Sequence, residues 1–318
     1  MDVASGPPRD RARPRATPSG PRRDTLGDVL LRVMTYNVLY AFHERQGDTM
    51  LFQEDRARAV REVVRACAPD VLGVTEAVYC GPGRGRLIRP DYATMFGLEH
   101  VHAGGFAGDW GNCLVSRFPI LHAERLPLGG GRDEVTSSAL RATLDCDGRE
   151  VHVDVVHPSP AITEAERVAA FVPLLSTLQR PYLMIGDLNA LSDEDPYDHA
   201  TLVAQLTGHV EQPEVLATRM LDRRLIATVR EQGLRDLAPP GRRHTLPTRL
   251  PRPHATQGAR LRLDYIFASD DFRVERVEVI DNEATDRASD HYPIVADLAL
   301  SGSAPAVAKP RPPHGRPP

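Results

Sequence analysis

Six short polar words stand at the ends of apolar runs in this chain: TYN at 35–37, TE at 75–76, VVHP at 155–158, GDLN at 186–189, RLDYIF at 262–267 and SDH at 289–291. Together they supply four acids (Glu76, Asp187, Asp264, Asp290), two amides (Asn37, Asn189) and two imidazoles (His157, His291). The set is rich in oxygen donors and has no thiolate, so it suits a hard cation such as Mg²⁺, with Mn²⁺ as a substitute, better than zinc. A hard divalent cation beside hydrogen-bonding histidines is what hydrolysis of a phosphate ester requires: charge neutralisation, an oriented water, and donors to the phosphoryl oxygens.

Each word also has a plainer reading. Asp187 and Asn189 share a face if their strand continues, where a carboxylate beside an amide holds and polarises a water; the same letters read as an Asp-Leu-Asn turn that closes the strand. Asn37 and Glu76 end two buried strands and would meet at one sheet edge, although singly they read as a strand-end cap and a solvated acid. His291 directly follows Asp290, and an imidazole needs an acceptor to fix its tautomer. Arg117 in SRFPI either reaches substrate or anchors a turn. Trp110 and Asn112 lie in the glycine-rich GDWGN loop, from which an exposed Trp would stack on a ring, whereas a packed one would not.

These residues need strands to carry them. Residues 31–38, 71–76 and 181–190 are apolar runs that read as buried strands. Residues 138–146 and 149–157 form a hairpin around Asp147–Gly148. Further strands are predicted at 112–120, 260–269, 272–280 and 293–300. Helical spacing predicts helices at 52–70 and 163–178, the second opened by a Thr163/Glu166 capping box, with others near 197–206 and 219–232. About nine strands with helices between some of them predict one α/β domain with mixed sheets.

In order and context, the six words resemble the endonuclease/exonuclease/phosphatase superfamily from about Leu31 to about Leu300. The resemblance implies a DNase I-like four-layer α/β/β/α sandwich with two mixed sheets, in which strand ends converge at one mouth. It implies Glu76 as the principal metal ligand, with Asn37 nearby and Asp290 completing the metal side. Asp187 resembles the residue that orients or deprotonates the attacking water, and Asn189 its partner. His157 and His291 resemble the donors to the phosphate or leaving group, and Asp264 the acceptor that orients His291. Thr75 stands where the family usually has Gln. Val-His-Pro replaces the common Thr-His-Leu, so Pro158 removes a backbone donor and keeps His157 extended. The implied activity is a Mg²⁺-dependent phosphodiesterase or nuclease. A phosphatase or phosphodiesterase acting on a small molecule or lipid headgroup is the alternative, and a non-catalytic binding module a third.

Charge divides unevenly along the 318 residues, which total −4. Residues 1–24 carry six Arg against three Asp, and residues 301–318 carry one Lys and two Arg with no acid, so each end is +3 and residues 25–300 are −10. An acidic body is a poor platform for long nucleic acid, whose affinity comes mostly from neutralised phosphates. No apolar run reaches the ~18 residues of a membrane span, and residues 1–24 lack the apolar core of a secretory signal. Cys67, Cys80, Cys113 and Cys146 are spaced singly and read as reduced thiols of a cytoplasmic protein. A monomer acting on a phosphoester, with nucleic acid among the classes considered, is expected.

The Pro/Arg-rich ends, 1–24 and 302–318, have too few apolar residues to offset the entropy of ordering, so the folded domain is expected over 25–301. Removing both ends should leave thermal stability and turnover of small phosphoesters unchanged. A large drop in either, measured by thermal melts and initial rates, would place a tail against the domain. A loss confined to DNA at low salt would instead identify the tails as an electrostatic tether.

Overall fold

Two six-stranded sheets form the centre of the structure, a computed structural model that describes residues 27–47, 49–79, 88–104, 110–128, 138–239, 244–250 and 258–301. The first sheet has the order β13 (Phe272–Val279), β14 (Ile294–Leu300), β1 (Val29–Asn37), β4 (Val71–Tyr79), β6 (Trp110–Ser116) and β5 (His100–Gly104). The second runs β11 (Arg235–Asp236), β12 (Asp264–Ala268), β10 (Tyr182–Asp187), β9 (Glu150–His157), β8 (Ser138–Asp145) and β7 (Ile120–Pro127). A separate hairpin pairs β2 (His43–Gln46) with β3 (Thr49–Phe52). Each large sheet contains one parallel pair, β1 with β4 and β9 with β10, so both sheets are mixed.

The central strands are apolar on both faces because both faces are covered. Between the sheets, Val33, Val71 and Leu114 meet Val153, Val155 and Ile185. On the far side of the first sheet, Met34, Leu72 and Val74 pack under Val60, Val63 and Val64 of α1 (Glu54–Cys67). That helix stops at Ala68, whose left-handed backbone returns its N–H to Val64 O. On the far side of the second sheet, Met184 and Phe267 lie beneath Phe171 and Leu174 of α3 (Glu164–Leu175) and Ile226 and Val229 of α6 (Arg224–Glu231). The layers therefore run α/β/β/α, as the resemblance implies. Thr163 and Glu166 form the predicted capping box.

Several elements differ from the sequence reading. The described residues contain fourteen strands, because short edge strands such as β5 and β11 lack strong apolar patterning. The stretch near 219–232 divides into α5 (Pro213–Met220) and α6. Leu221 closes α5 and Arg223 opens α6, with Asp222 between them taking two hydrogen bonds from Arg224. Together with α4 (His199–Leu206), α5 lies outside the four layers over a small core of its own, made of Leu191, Leu202, Leu206, Ala217, Leu246 and Leu261. The tails and the Cys80 segment fall outside the described residues. Among the described residues no helix is long and apolar enough to cross a membrane.

The expected strand at 260–269 begins only at Asp264 because Arg262 turns inward. Its side chain is 1% exposed. The guanidinium meets Asp195 at 2.7 Å and Asp236 at 2.9 and 2.7 Å, and it lies 4.3 Å over the Tyr265 ring. Replacing one partner of such a buried group leaves the other charges uncompensated, at a cost of ~3–5 kcal/mol. Arg262→Met should lose about that much in urea unfolding. A loss below ~1 kcal/mol would show that the aspartates find other partners.

Candidate active site

In four strands the row of side chains that packs between the sheets ends in a polar residue. Val29, Leu31 and Val33 lead to Asn37 in β1; Val151, Val153 and Val155 lead to His157 in β9. Leu183 and Ile185 lead to Asp187 in β10, while Ala268 and Ile266 lead back to Asp264 in β12. Asp187 and Asp264 are direct partners across their antiparallel pair, and β9 runs parallel to β10, so these ends share one edge. Period-2 geometry thus turns a hydrophobic interface into a cluster of acids, an amide and an imidazole where the interface stops.

Glu76 arrives by a different route. It is not the end of its strand, as the sequence led one to expect, but lies within β4 where pairing with β6 is interrupted between Val74 and Val78. Its φ of 52° is left-handed, a conformation that costs about 1–2 kcal/mol for a residue with a Cβ. The bulge turns Glu76 toward the mouth. There Oε1 accepts from Asn37 Nδ2 at 3.1 Å and Oε2 accepts from the Tyr40 amide at 2.9 Å. Leu39, Tyr40, Ala41 and Phe42 are also left-handed, and Arg56 holds this turn by donating to the Val38 and Leu39 carbonyls at 2.9 Å each.

The centre of the cluster is Asp187 Oδ2. It accepts from Asn37 Nδ2 at 3.0 Å and lies 3.7 Å from His157 Nε2 and 3.8 Å from His291 Nε2. Its other oxygen accepts from the Asn189 amide at 2.9 Å, so the Asp-Leu-Asn turn forms and Asn189 does not continue the strand. The Asn189 side chain donates to Pro158 O at 3.0 Å, joining this turn to the end of β9. Gly186 permits the turn: its φ is +145°, and a Cβ there would lie 2.0 Å from Val156 O. His291 Nδ1 is 2.7 Å from Asp264 Oδ2. The SDH segment is fastened by Ser289 Oγ, which donates to Asn37 O at 2.7 Å.

Burial and charge set the protonation here. Burial pushes the Asp187 carboxyl upward, reinforced by the Asp264 charge and opposed by the two histidines and the Asn189 N–H. For His291, burial works against the charged form, but Asp264 and Asp187 outweigh it and hold the imidazole well above its ordinary value. Both carboxylates therefore favour the protonated imidazole, with Nδ1 facing Asp264 and Nε2 facing Asp187.

The donor set fits a hard divalent cation. Asp264 Oδ1 is buried with no hydrogen-bond donor among the described residues, and no cysteine lines the cavity. Asp187, Asp264 and His291 offer ligand atoms within 4.8 Å of one another, with one Asp264 oxygen held by His291. Glu76 and Asp290 bring further carboxylates to the same cavity. Asn37 turns its nitrogen to Glu76 and Asp187 while its oxygen accepts from the Leu39 amide. In this geometry its nitrogen bridges the two carboxylates, and its oxygen keeps a second lone pair beyond the one that the Leu39 amide uses.

Eight of the residues singled out in the sequence meet here, with Asp290 lining the same cavity of about 390 Å³ as Glu76, His157, Asp187, Asn189 and His291. Of the other three, Asn112 and Arg117 have partners elsewhere. Asn112 is 1% exposed and donates to Ser138 O and Val155 O, both at 3.0 Å, so it ties the two sheets together below the mouth. Arg117 pairs with Asp70 at 2.8 Å next to the start of β4, at the opposite end of that strand from Tyr79. Trp110 begins β6, and its side chain falls outside the described part. Arg167 was not anticipated: from α3 it donates to Asn189 O. Its place on the buried helix face with Phe171 and Leu174 was the available signal. A larger groove of about 900 Å³, beside β7, β8 and α3, contains none of these eight residues.

The profile of the Endonuclease/Exonuclease/phosphatase family matches residues 34–291. No curated protein matches the chain. Among solved structures, an endonuclease/exonuclease/phosphatase from Beutenbergia cavernae is 25% identical with a TM-score of 0.58, over 86% of this chain and 72% of that one. Danio rerio TDP2 complexed with single-strand DNA product is 15% identical, with a TM-score of 0.53 over 85% and 99% of the two chains. The human nocturnin catalytic domain with bound sulfate is 18% identical, with a TM-score of 0.51 over 89% and 100%. The last two show likeness of fold. With the family profile spanning every polar strand end of the cluster, the chain belongs to the endonuclease/exonuclease/phosphatase family of phosphoester hydrolases.

Proposed function

We propose that the chain is a divalent-metal-dependent phosphodiesterase whose reaction takes place at the mouth between the sheets. The observation that carries this reading is the placement of Asp187 Oδ2 within 4 Å of both imidazole Nε2 atoms while His291 is paired with Asp264. Asp187 is the group to orient and deprotonate the attacking water, with Asn37 and the Asn189 amide fixing its carboxylate. His157 and the protonated His291 are donors to the phosphoryl oxygens as charge builds on them. Asp264 keeps His291 charged and aligned. Glu76 and Asp290 would hold Mg²⁺ or Mn²⁺, which would neutralise the phosphate and polarise its P–O bonds.

For the substrate, the single-strand DNA in the zebrafish TDP2 structure keeps a nuclease in view. A small-molecule or lipid-headgroup ester is the second reading, favoured by the net charge of −10 over residues 25–300. A panel of phosphoesters with Mg²⁺, Mn²⁺ and EDTA separates them.

Turnover should require the added cation. Glu76→Gln should lower it at least ~100-fold and weaken Mn²⁺ binding in calorimetry, with the urea midpoint little changed. Undiminished turnover in excess EDTA would refute the metal requirement.

Asp264→Asn should cut kcat by roughly 100- to 10,000-fold, because an amide cannot stabilise the His291 imidazolium as a carboxylate does. Mn²⁺ affinity should be nearly unchanged. An equal loss of affinity would instead assign Asp264 Oδ1 to the cation.

A further inference from the structure

The cavity extends past the acids and imidazoles. Beyond Asn189 it runs onto the satellite core under α4 and α5, where Leu191, Leu246, Leu261 and Leu263 form its wall. These four are 8% exposed or less. At the rim stand Leu216 and Met220, two partly buried side chains of α5 four residues apart on one helix face. Apolar side chains open to water beside a reacting centre are stabilised when a ligand covers them.

Size and charge narrow what that ligand is. The whole cavity is about 390 Å³, within the range of small-molecule sites, and part of it is taken up by the reacting phosphate. Glu76, Glu164, Asp187, Asp222 and Asp290 line it against Arg167, Arg219, His157 and His291. Arg167 is engaged with Asn189 O, Ile162 O and Glu164. The further phosphates of a polymer would meet more acid than base here. An uncharged apolar substituent meets neither problem.

We infer that this annex is the subsite for the non-reacting part of the substrate, and that the substrate is a compact phosphoester carrying an apolar aryl or short alkyl group. The inference rests on the phosphoesterase reading above and specifies its substrate class. Leu216 and Met220 set the preference, with the buried leucines as the floor.

Two pairs of probes differ only in the group the annex would take: phenylphosphonate against methylphosphonate for binding by calorimetry with Mg²⁺, and phenyl against methyl 4-nitrophenyl phosphate for turnover. The phenyl compound should bind about tenfold or more tightly, with a matching ratio of kcat/KM. Leu216→Asn and Met220→Gln should each cut that phenyl-to-methyl ratio about threefold or more. Because the ratio is taken within one preparation, loss of folded protein does not move it. Equal binding of the two phosphonates, or a phenyl preference untouched by both substitutions, overturns the inference. So does a higher kcat/KM on single-stranded DNA than on the phenyl ester. Phenyl-selective binding without hydrolysis of any ester would leave the annex standing and remove the hydrolase reading. Hydrolysis of both esters at equal kcat/KM, with equal phosphonate binding, would do the reverse.

Discussion

A single buried carboxylate organises this protein. Asp187 is 2% exposed, and an ionised carboxylate taken out of water costs several kcal/mol unless it is paired and hydrogen-bonded. Its partners come from every part of the chain: Asn37 from β1, His157 from β9, the Asn189 amide from the following turn, and His291 from the segment before β14. Each partner must be fixed before the charge is tolerable, so the two sheets have to close in register. Gly73 makes that closure possible, since a Cβ there would lie 2.6 Å from Ile185 Cδ1 across the gap. The site and the sheet interface are consequently one structure, and a change that separates the sheets also exposes the acids.

Much of this was legible in the sequence because the period of a strand is a hard geometric rule. His157, Asp187 and Asp264 each sit an even number of residues from apolar positions that face the other sheet, so parity aims them at one edge once the strands are assigned. The capping box followed from an equally local signal, whereas the four layers came from the family resemblance and not from local patterning. What escaped was whatever parity does not govern. Glu76 depends on a bulge in a run, Val71–Tyr79, whose letters read as ordinary strand. The division between α5 and α6 falls at Leu221–Arg223, where neither glycine nor proline marks a break.

Residue type misled where it outweighed position. Asn112 follows glycine and tryptophan and reads as loop, yet it occupies the inward row of β6 two residues before Leu114 and cross-links the sheets. Arg117 stands beside a proline turn at the end of β6, and because β6 runs antiparallel to β4 that end is remote from Glu76. Arg167 was overlooked for the converse reason. Nothing around it resembles a motif, but a cation on the buried face of an amphipathic helix must have a polar target, and its target is the Asn189 carbonyl.

The electrostatics of the mouth follow from the same economy of positions. Glu76, Asp187, Asp264 and Asp290 converge with two histidines, so acids outnumber imidazoles at this largely buried edge. That excess opposes the approach of a phosphate and is offset if a divalent cation enters, which reverses the local field at the place where the ester must bind. His291 cannot serve that purpose alone, since its charge is already spent on Asp264 and Asp187. Asp264 stands on both sides of this balance, since one of its oxygens holds His291 while the other, Oδ1, is buried without a donor among the described residues. Carboxylates gathered this closely make a surplus that a hard cation would relieve.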